Sequence, residues 1–454
     1  MQVRVCTDAR GAMDCADAFF GLDAQVPLAG GRLARYINLD NAATTPPLRA
    51  VVDAVHESLR YYASVHRGAG YKSRTSTAAF ERARETLARF VGADPVRDVV
   101  VFGRNTTDAL NKVSNRLPMP GDAVVVSTLL EHHSNDLPWR RRARVVRARI
   151  TADGRLDEAD FDRLLALHAG RIALVAVSAA SNVTGVVQPI HRLARKAHAA
   201  GAPIVVDAAQ LVAHRRLDMR PHGHPEHLDF VAFSGHKMYA PFGSGALVGP
   251  RSAFEQGPPD AVGGGTVDIV TESDVAWGAL PDREEAGTPN AVGVVAMAAA
   301  AEVLTAWDLD SVDAHESALA AYARSRLSEV PGVTIYGEPP SRDRSDRVGV
   351  IPFNLAGWHH DEVAERLGRE GGIGVRNGCF CAQPYVAALL GIPPASVGAF
   401  QGSHAGRPGM VRISLAAYNT GEEIDAVVAL LARMSAARGR RAGAPIRRAA
   451  RTSG

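Results

Sequence analysis

Cysteine is scarce in this chain: Cys6, Cys15, Cys379 and Cys381 are the only four in 454 residues. So few cannot staple a chain of this size, and a disulfide scaffold is excluded. Cys379 and Cys381 stand one residue apart, closer than a usual zinc knuckle, and no second Cys/His pair has matching spacing, so no metal site is expected. Long apolar runs are missing too. No stretch of roughly 18 uncharged apolar residues occurs that is not better read as core helix, which argues against a membrane span. The opening MQVRVCTDARGAMDCADAFF alternates charged and apolar residues and lacks the continuous apolar segment of a secretion signal, so the cytoplasm is the expected compartment. Acids are absent from residue 438 onward, where RGRRAGAPIRRAARTSG carries Arg438, Arg440, Arg441, Arg447, Arg448 and Arg451. Without those six charges the net +3 of the chain becomes −3 for the body. The basicity therefore belongs to a solvated, disordered tail, and nucleic-acid binding is not expected.

What is present is ordinary globular composition, 46% hydrophobic and 22% charged, enough for one large domain and a smaller one. Residues 1–35 are irregular and read as an N-terminal arm. From about Asp98, short apolar runs alternate with helical periodicity: VVVFG (99–103), AVVVST (123–128), IALVAVS (172–178), PIVVDA (203–208), FVAFSG (230–235) and GALVG (245–249). Strands apolar on both faces and separated by helices predict an α/β fold with a mostly parallel central sheet, covered on both sides. An Ala-rich helix follows GTPN (287–290). Beyond it, VTIYG, VGVIPFNLAG and MVRISLAAY read as strands of a smaller C-terminal α+β domain. The expected boundaries are 36–305 for the large domain, 306–436 for the small one and 437–454 for the tail.

In an open parallel sheet, ligands bind beyond the carboxyl ends of the strands. Five such ends carry polar residues. After VVVFG come Thr106 and Thr107 at a helix start, suited to a phosphate or to a plain N-cap. After AVVVST come His132 and His133; a flat imidazole there can stack on an aromatic ligand, whereas chain neighbours seldom share a metal. After IALVAVS comes Asn182, a donor to a phenolic or carbonyl oxygen, or a turn residue. PIVVDA ends on Asp207, with Gln210 three residues on; a carboxylate there needs a cationic partner. After FVAFSG comes Lys237, whose amine in a dry pocket becomes a nucleophile toward aldehydes, unless it merely snorkels. Each signal alone is weak. Together they form a phosphate cradle, a stacking ring, an oxygen donor, an anion for a ring nitrogen and an amine for an aldehyde, which are the handles of pyridoxal 5′-phosphate.

The chain resembles the class V (fold-type I) pyridoxal-phosphate enzymes, within them the cysteine desulfurase and selenocysteine lyase branch. The resemblance rests on INLDNAATTPP (37–47), HRGAGYKS (66–73), NTTDALN (105–111), EHHSNDLPW (131–139), SNVTGVVQP (181–189), VVDAAQ (205–210), FSGHKMYAPFGSGAL (233–247), AGTPN (286–290), VRNGCFCAQP (375–384) and VRISLAAYNT (411–420). It implies that Lys237 holds the cofactor as an imine, that Asp207 pairs with the ring nitrogen, and that Asn182 and Gln210 touch the ring oxygen. His132 would stack on the ring and move protons. Thr106, Thr107, Ser234 and His236 would bind the phosphate, and Thr288 would reach the phosphate of a partner subunit, which implies a homodimer. Arg412, with Arg376 beside it and Ala42 nearby, would hold the substrate carboxylate. Cys381 matches the cysteine that takes sulfur from L-cysteine as a persulfide, releases L-alanine and supplies an acceptor protein. Its thiolate needs a cation nearby, for which Arg376 is the candidate.

The usual R-x-G-H-H-C-A-x-P of that branch reads here Arg376-Asn377-Gly378-Cys379-Phe380-Cys381-Ala382-Gln383-Pro384. The Gly-Cys-Phe-Cys form is similar to the loop of molybdenum-cofactor sulfurases. Cys379 is open to three roles: a small filler, a second sulfur carrier, or a partner of Cys381 in an off-state. The long LGIPPASVGAFQGSHAGRPGM segment reads as a flap or as surface padding. The alternative activity is that of a class V aminotransferase, epimerase or C–S β-lyase on another amino acid.

Overall fold

The computed structural model describes residues 16–337, 346–398 and 406–442. Cys6, Cys15, the middle of the flap and residues 443–454 lie outside the described residues. Within the N-terminal stretch read as an irregular arm, Gln25–Pro27 pairs with Leu33–Arg35 as a hairpin, and Phe19 is buried against Tyr239, Trp307 and Tyr418. An aromatic ring of that size is worth too much buried area to leave in solvent.

The large domain opens with helices α1 (Arg49–Arg60) and α2 (Tyr71–Phe90). Its central sheet then takes β1 (Asp98–Gly103), β2 (Val124–Thr128), β3 (Arg144–Ala148), β4 (Ile172–Ser178), β5 (Ile204–Asp207), β6 (Phe230–Ser234) and β7 (Gly245–Pro250). Helix α3 (Thr106–Arg116) follows β1 directly. The spatial order is β1-β7-β6-β5-β4-β2-β3. Pairings from β6 through β3 are parallel, and β7 runs antiparallel to both neighbours. Fully buried valines such as Val124, Val125 and Val126 fill both faces, each worth about 1.5–2 kcal/mol against exposure. The sequence reading missed β3. It is an edge strand interrupted by the exposed Arg144 and by Arg147, which pairs with Asp136, so its pattern lacks the apolar continuity of its neighbours.

Because β7 runs backwards, its first residue, Gly245, sits between Gly103 and Ser234 at the edge where the other strands end. A Cβ on Gly245 would stand 2.6 Å from the Asn105 backbone. Only glycine lets the start of α3 close onto this edge.

Helix α4 (Ala291–Ala306) is the Ala-rich segment, packed on α1 and α2. The small domain adds α5 (Leu309–Ser328), β8 (Val333–Ile335), β9 (Val350–Leu355), α6 (His360–Gly371), β10 (Arg376–Gly378), β11 (Met410–Ser414) and α7 (Gly421–Ala442). Its antiparallel sheet has the order β8-β9-β11-β10 and its own core, which includes Phe353, Ile413, Leu367 and Leu431. The tail expected from residue 437 begins inside α7, since that helix runs on to Ala442. Ile37–Asn38 pairs in parallel with Ile373–Gly374, and Leu39 is buried in the small core. Residues 40–42 are thereby fixed between the two domains.

Candidate active site

The strand ends and the small domain enclose a cleft of about 560 Å³. At one end, the first turn of α3 offers backbone N–H groups and the positive end of its dipole. Asn105 caps that helix, its side chain accepting from the Asp108 N–H at 3.0 Å. The Thr106 N–H donates to Ser234 Oγ at 2.7 Å, and the two hydroxyls lie 2.6 Å apart. Thr107 Oγ1 is 2.7 Å from Ser134 Oγ. His236 also lines this end. Burial and the neighbouring Lys237 charge push its pKa down to about 4.

Lys237 lies on the cleft wall just beyond β6. Desolvation pulls its pKa below the ordinary lysine value, against the opposing charge of Asp207. Asp207 is buried at the end of β5, and burial raises its pKa; Lys237 and one N–H, from Ala209 at 3.0 Å, act the other way. His132 accepts from the Ser134 N–H at Nδ1, 3.1 Å away, which leaves the ring proton on Nε2. Burial first, then the charges of Lys237, His133 and Arg412, bring its pKa down to about 3, so it is neutral at pH 7. Asn182 Nδ2 donates to Phe380 O at 2.7 Å, and Gln210 Nε2 donates to Ala42 O at 2.7 Å.

Arg412 rises from β11 and is 2% exposed. Its Nη1 donates to Asn182 O at 2.9 Å and its Nη2 to Asp40 Oδ1 at 2.8 Å. Its Nε is buried without an acceptor among the described residues. Burial lowers its pKa to about 10, against Asp40. Asp40 Oδ2 also pairs with Arg376 Nε, 3.1 Å away. This carboxylate was missed in the sequence, although it stands inside INLDNAATTPP. It organises both arginines from 372 residues away in the case of Arg412.

The cysteine loop is a tight turn. The Ala382 N–H donates to Cys379 O at 2.8 Å, and both central residues, Phe380 (φ 52°) and Cys381 (φ 55°), are left-handed. That is the signature of a type I′ turn made without glycine, and each such residue costs about 1 kcal/mol. The loop is pinned from several sides. Cys381 O accepts the His133 N–H at 2.7 Å, His133 Nε2 accepts the Gln383 N–H at 3.2 Å, and the Arg412 guanidinium lies 5.0 Å from the Phe380 ring centre. Cys381 is exposed and Cys379 half-buried.

Arg376, the candidate cation for the thiol, lines the same cleft, half-exposed and engaged with Asp40; Lys237 and Arg412 also couple electrostatically to Cys381. Thr288 is absent from this cleft and lines a separate one with His66, Arg67 and Gly265. The sequence reading also did not foresee His360, Asp361 and Arg407 at the cleft wall. His359, His360 and Asp361 place ligand-type atoms within 4.8 Å of one another. Both Nδ1 atoms face the Asp361 carboxylate, at 3.2 and 2.9 Å, so the group is paired within itself.

A mostly parallel sheet, a helix start at its edge, and a half-buried lysine beside a buried aspartate on adjacent strand ends define the fold-type I class of pyridoxal-phosphate enzymes. The chain belongs to the class-V aminotransferase family, whose model matches residues 37–427. It is 38% identical to the cysteine desulfurase of Dickeya dadantii over 407 residues, which is 87% of this chain and 91% of that one. It is 36% identical to a probable cysteine desulfurase of Streptomyces coelicolor, again with 87% and 91% covered. Among solved structures, the apo cysteine desulfurase from Thermococcus onnurineus NA1 superposes with a TM-score of 0.78 at 32% identity, covering 88% of this chain and 95% of that one. The cysteine desulfurase CsdA (S-sulfonic acid) from Escherichia coli gives 0.74 at 32% identity, covering 88% and 94%.

Proposed function

We propose that the chain is a pyridoxal-phosphate-dependent cysteine desulfurase, moving the sulfur of L-cysteine onto Cys381, releasing L-alanine and supplying an acceptor protein. The observation that carries this reading is the position of Cys381: an exposed thiol on a strained, pinned turn, in the same cleft as Lys237 and Arg412.

The donor set fits the cofactor. Asp207 is a buried carboxylate short of donors, as the partner of a protonated ring nitrogen must be. Thr106, Thr107, Ser234 and His236 would hold its phosphate, Asn182 and Gln210 its ring oxygen, His132 its ring face and Lys237 its aldehyde carbon. When bound, the group supplies an electron sink for bonds at the substrate α-carbon.

The remaining work falls to the protein. Arg412 binds the substrate carboxylate, held in place by Asp40 and the Asn182 carbonyl. Lys237, whose ammonium form desolvation disfavours, accepts a proton at Nζ and returns it. Neutral His132 offers an N–H rather than a full positive charge. Cys381 Sγ attacks the substrate sulfur as a thiolate. The new S–S bond forms as the C–S bond breaks; the carbon keeps the bonding pair and gains a proton, giving alanine. Thr288, set outside its own cleft, serves the site of a second copy, which makes the working unit a homodimer.

The test is turnover of L-cysteine by the holoenzyme, with alanine and protein-bound sulfur both quantified. Cys381→Ala is expected to lose alanine formation by at least about a hundredfold while keeping the cofactor's visible absorbance. Undiminished turnover of some other amino acid by that variant would instead assign the chain to aminotransfer, epimerisation or β-elimination.

A further inference from the structure

The turn that presents Cys381 carries a second thiol that the transfer reaction does not use. Cys379 is the first residue of the turn and Cys381 the third, and both line the cleft. A turn closed by the Ala382 N–H to Cys379 O bond places α-carbons two residues apart within the span of roughly 4.4–6.8 Å that a disulfide bridges. An extended strand would set them on one face but with α-carbons about 6.6 Å apart, at the far end of that span. The turn is also held curled at a cost. Neither Phe380 nor Cys381 is a glycine, yet both are left-handed, and Asn182, His133 and Arg412 hold them there. Strain kept by so many contacts points to a use for the curled shape.

The exposures decide between the two possible uses. A thiol relaying sulfur outward to a macromolecule should be the more accessible of the pair. Here Cys381 is exposed and Cys379 half-buried, so the second thiol approaches the first from within. We propose that Cys379 is the resolving thiol of this cleft, discharging the Cys381 persulfide as free sulfide and closing a Cys379–Cys381 disulfide. This rests on the desulfurase reading above.

The chemistry balances. Cys379 loses its thiol proton to solvent, and its thiolate attacks Cys381 Sγ. The Cys379–Cys381 S–S bond forms, the bond from Cys381 Sγ to the outer sulfur breaks, and the outer sulfur leaves with the electron pair as hydrosulfide. The sulfane sulfur is reduced to sulfide while the two cysteines are oxidised to a disulfide. A small or protein dithiol then reduces that disulfide by exchange and is itself oxidised; the exposure of Cys381 makes the bond open to such exchange. With an acceptor present, sulfur leaves as a persulfide. Without one, the loop releases sulfide and locks until a reductant resets it.

The experiment uses the holoenzyme with one equivalent of L-cysteine per subunit and no added thiol, because excess substrate is itself a thiol reductant, and measures alanine, sulfide and the mass of the 376–384 peptide without reduction. The expected result is one alanine and one sulfide per subunit and a peptide two hydrogens lighter, which dithiothreitol returns to its reduced mass. Cys379→Ser and Cys379→Ala are each expected to retain one extra sulfur on Cys381 and to release sulfide about tenfold more slowly or worse. Wild-type protein that carries the extra sulfur on either cysteine with no disulfide, or sulfide release indifferent to Cys379, overturns the inference and leaves the desulfurase reading standing. Absence of alanine overturns that reading and the inference with it.

Discussion

Arg412 keeps a charge where burial works against it, and its two anchors show why it stays. Asp40 and the Asn182 carbonyl take Nη2 and Nη1 at 2.8 and 2.9 Å, fixing the guanidinium beside the cleft. Arg412→Ala is expected to remove about 3 kcal/mol of transition-state binding, roughly two orders of magnitude in kcat/KM for cysteine. Steady-state kinetics checks this, and a lysine at that position should not restore it, because a point charge cannot be held by both anchors at once. His132 makes a different prediction. Its pKa is lowered to about 3, so its charged form is populated only below that value and it stays neutral through the physiological range. His132→Gln should therefore lower kcat without moving the acid limb of the pH–rate profile, since some other group must produce any limb near neutrality. An acid limb near pH 6 that vanished in the variant would refute this.

At the scale of elements, a buried ion pair joins the loop after β5 to α5. His214 Nδ1 lies 2.6 Å from Glu316 Oε2, and Arg215 Nε meets Asp313 Oδ1 at 2.9 Å on the same helix. Burial pulls the His214 pKa down, but the Glu316 carboxylate outweighs it, and the net shift is upward. A raised folded-state pKa contributes stability that is fully present below the unfolded value of about 6.5 and fades as pH rises through the folded one. His214→Gln is thus expected to cost about 3 kcal/mol at pH 6, with the gap in Tm between wild type and variant narrowing at alkaline pH. Thermal melts across pH test both halves. A gap independent of pH would mean that packing, not charge, joins the two parts. The elements also show which features were legible. The central strands announce themselves because apolar continuity is a local signal, and each strand-end residue follows such a run within a few positions. Edge strand β3 is masked by Arg144 and Arg147. Asp40 gave no signal because its partners come from the far end of the chain. The type I′ turn gave none because left-handed residues are normally betrayed by glycine, and here they are Phe380 and Cys381.

For the whole molecule, the open question in the geometry is Thr288, a residue the family resemblance assigns to the cofactor phosphate but which lines a different cleft from its own chain's Lys237. The surface beside it suggests the answer. Three residues on, α4 begins, and its flank joins α1 and α2 in a groove lined by Tyr61, Tyr62, Ala79, Val292 and Val295. Tyr62 and nearby Tyr71 are 50% and 68% exposed, an apolar cost that a monomer would have no reason to keep. A second copy seated on this face would cover the tyrosines and carry its Thr288 toward the neighbouring site; a two-fold pairing gives each copy the same gain. Sedimentation should then show twice the chain mass. Val295→Arg, which sets a charge in the groove, should give the single-chain mass together with at least about tenfold weaker cofactor retention on dialysis. Thr288→Ala separates the two effects: it should weaken cofactor retention while leaving the mass doubled. A Val295→Arg protein that sediments as one chain yet holds its cofactor as firmly as the wild type would show that each cleft is complete by itself, and Thr288 would lose its place in the site.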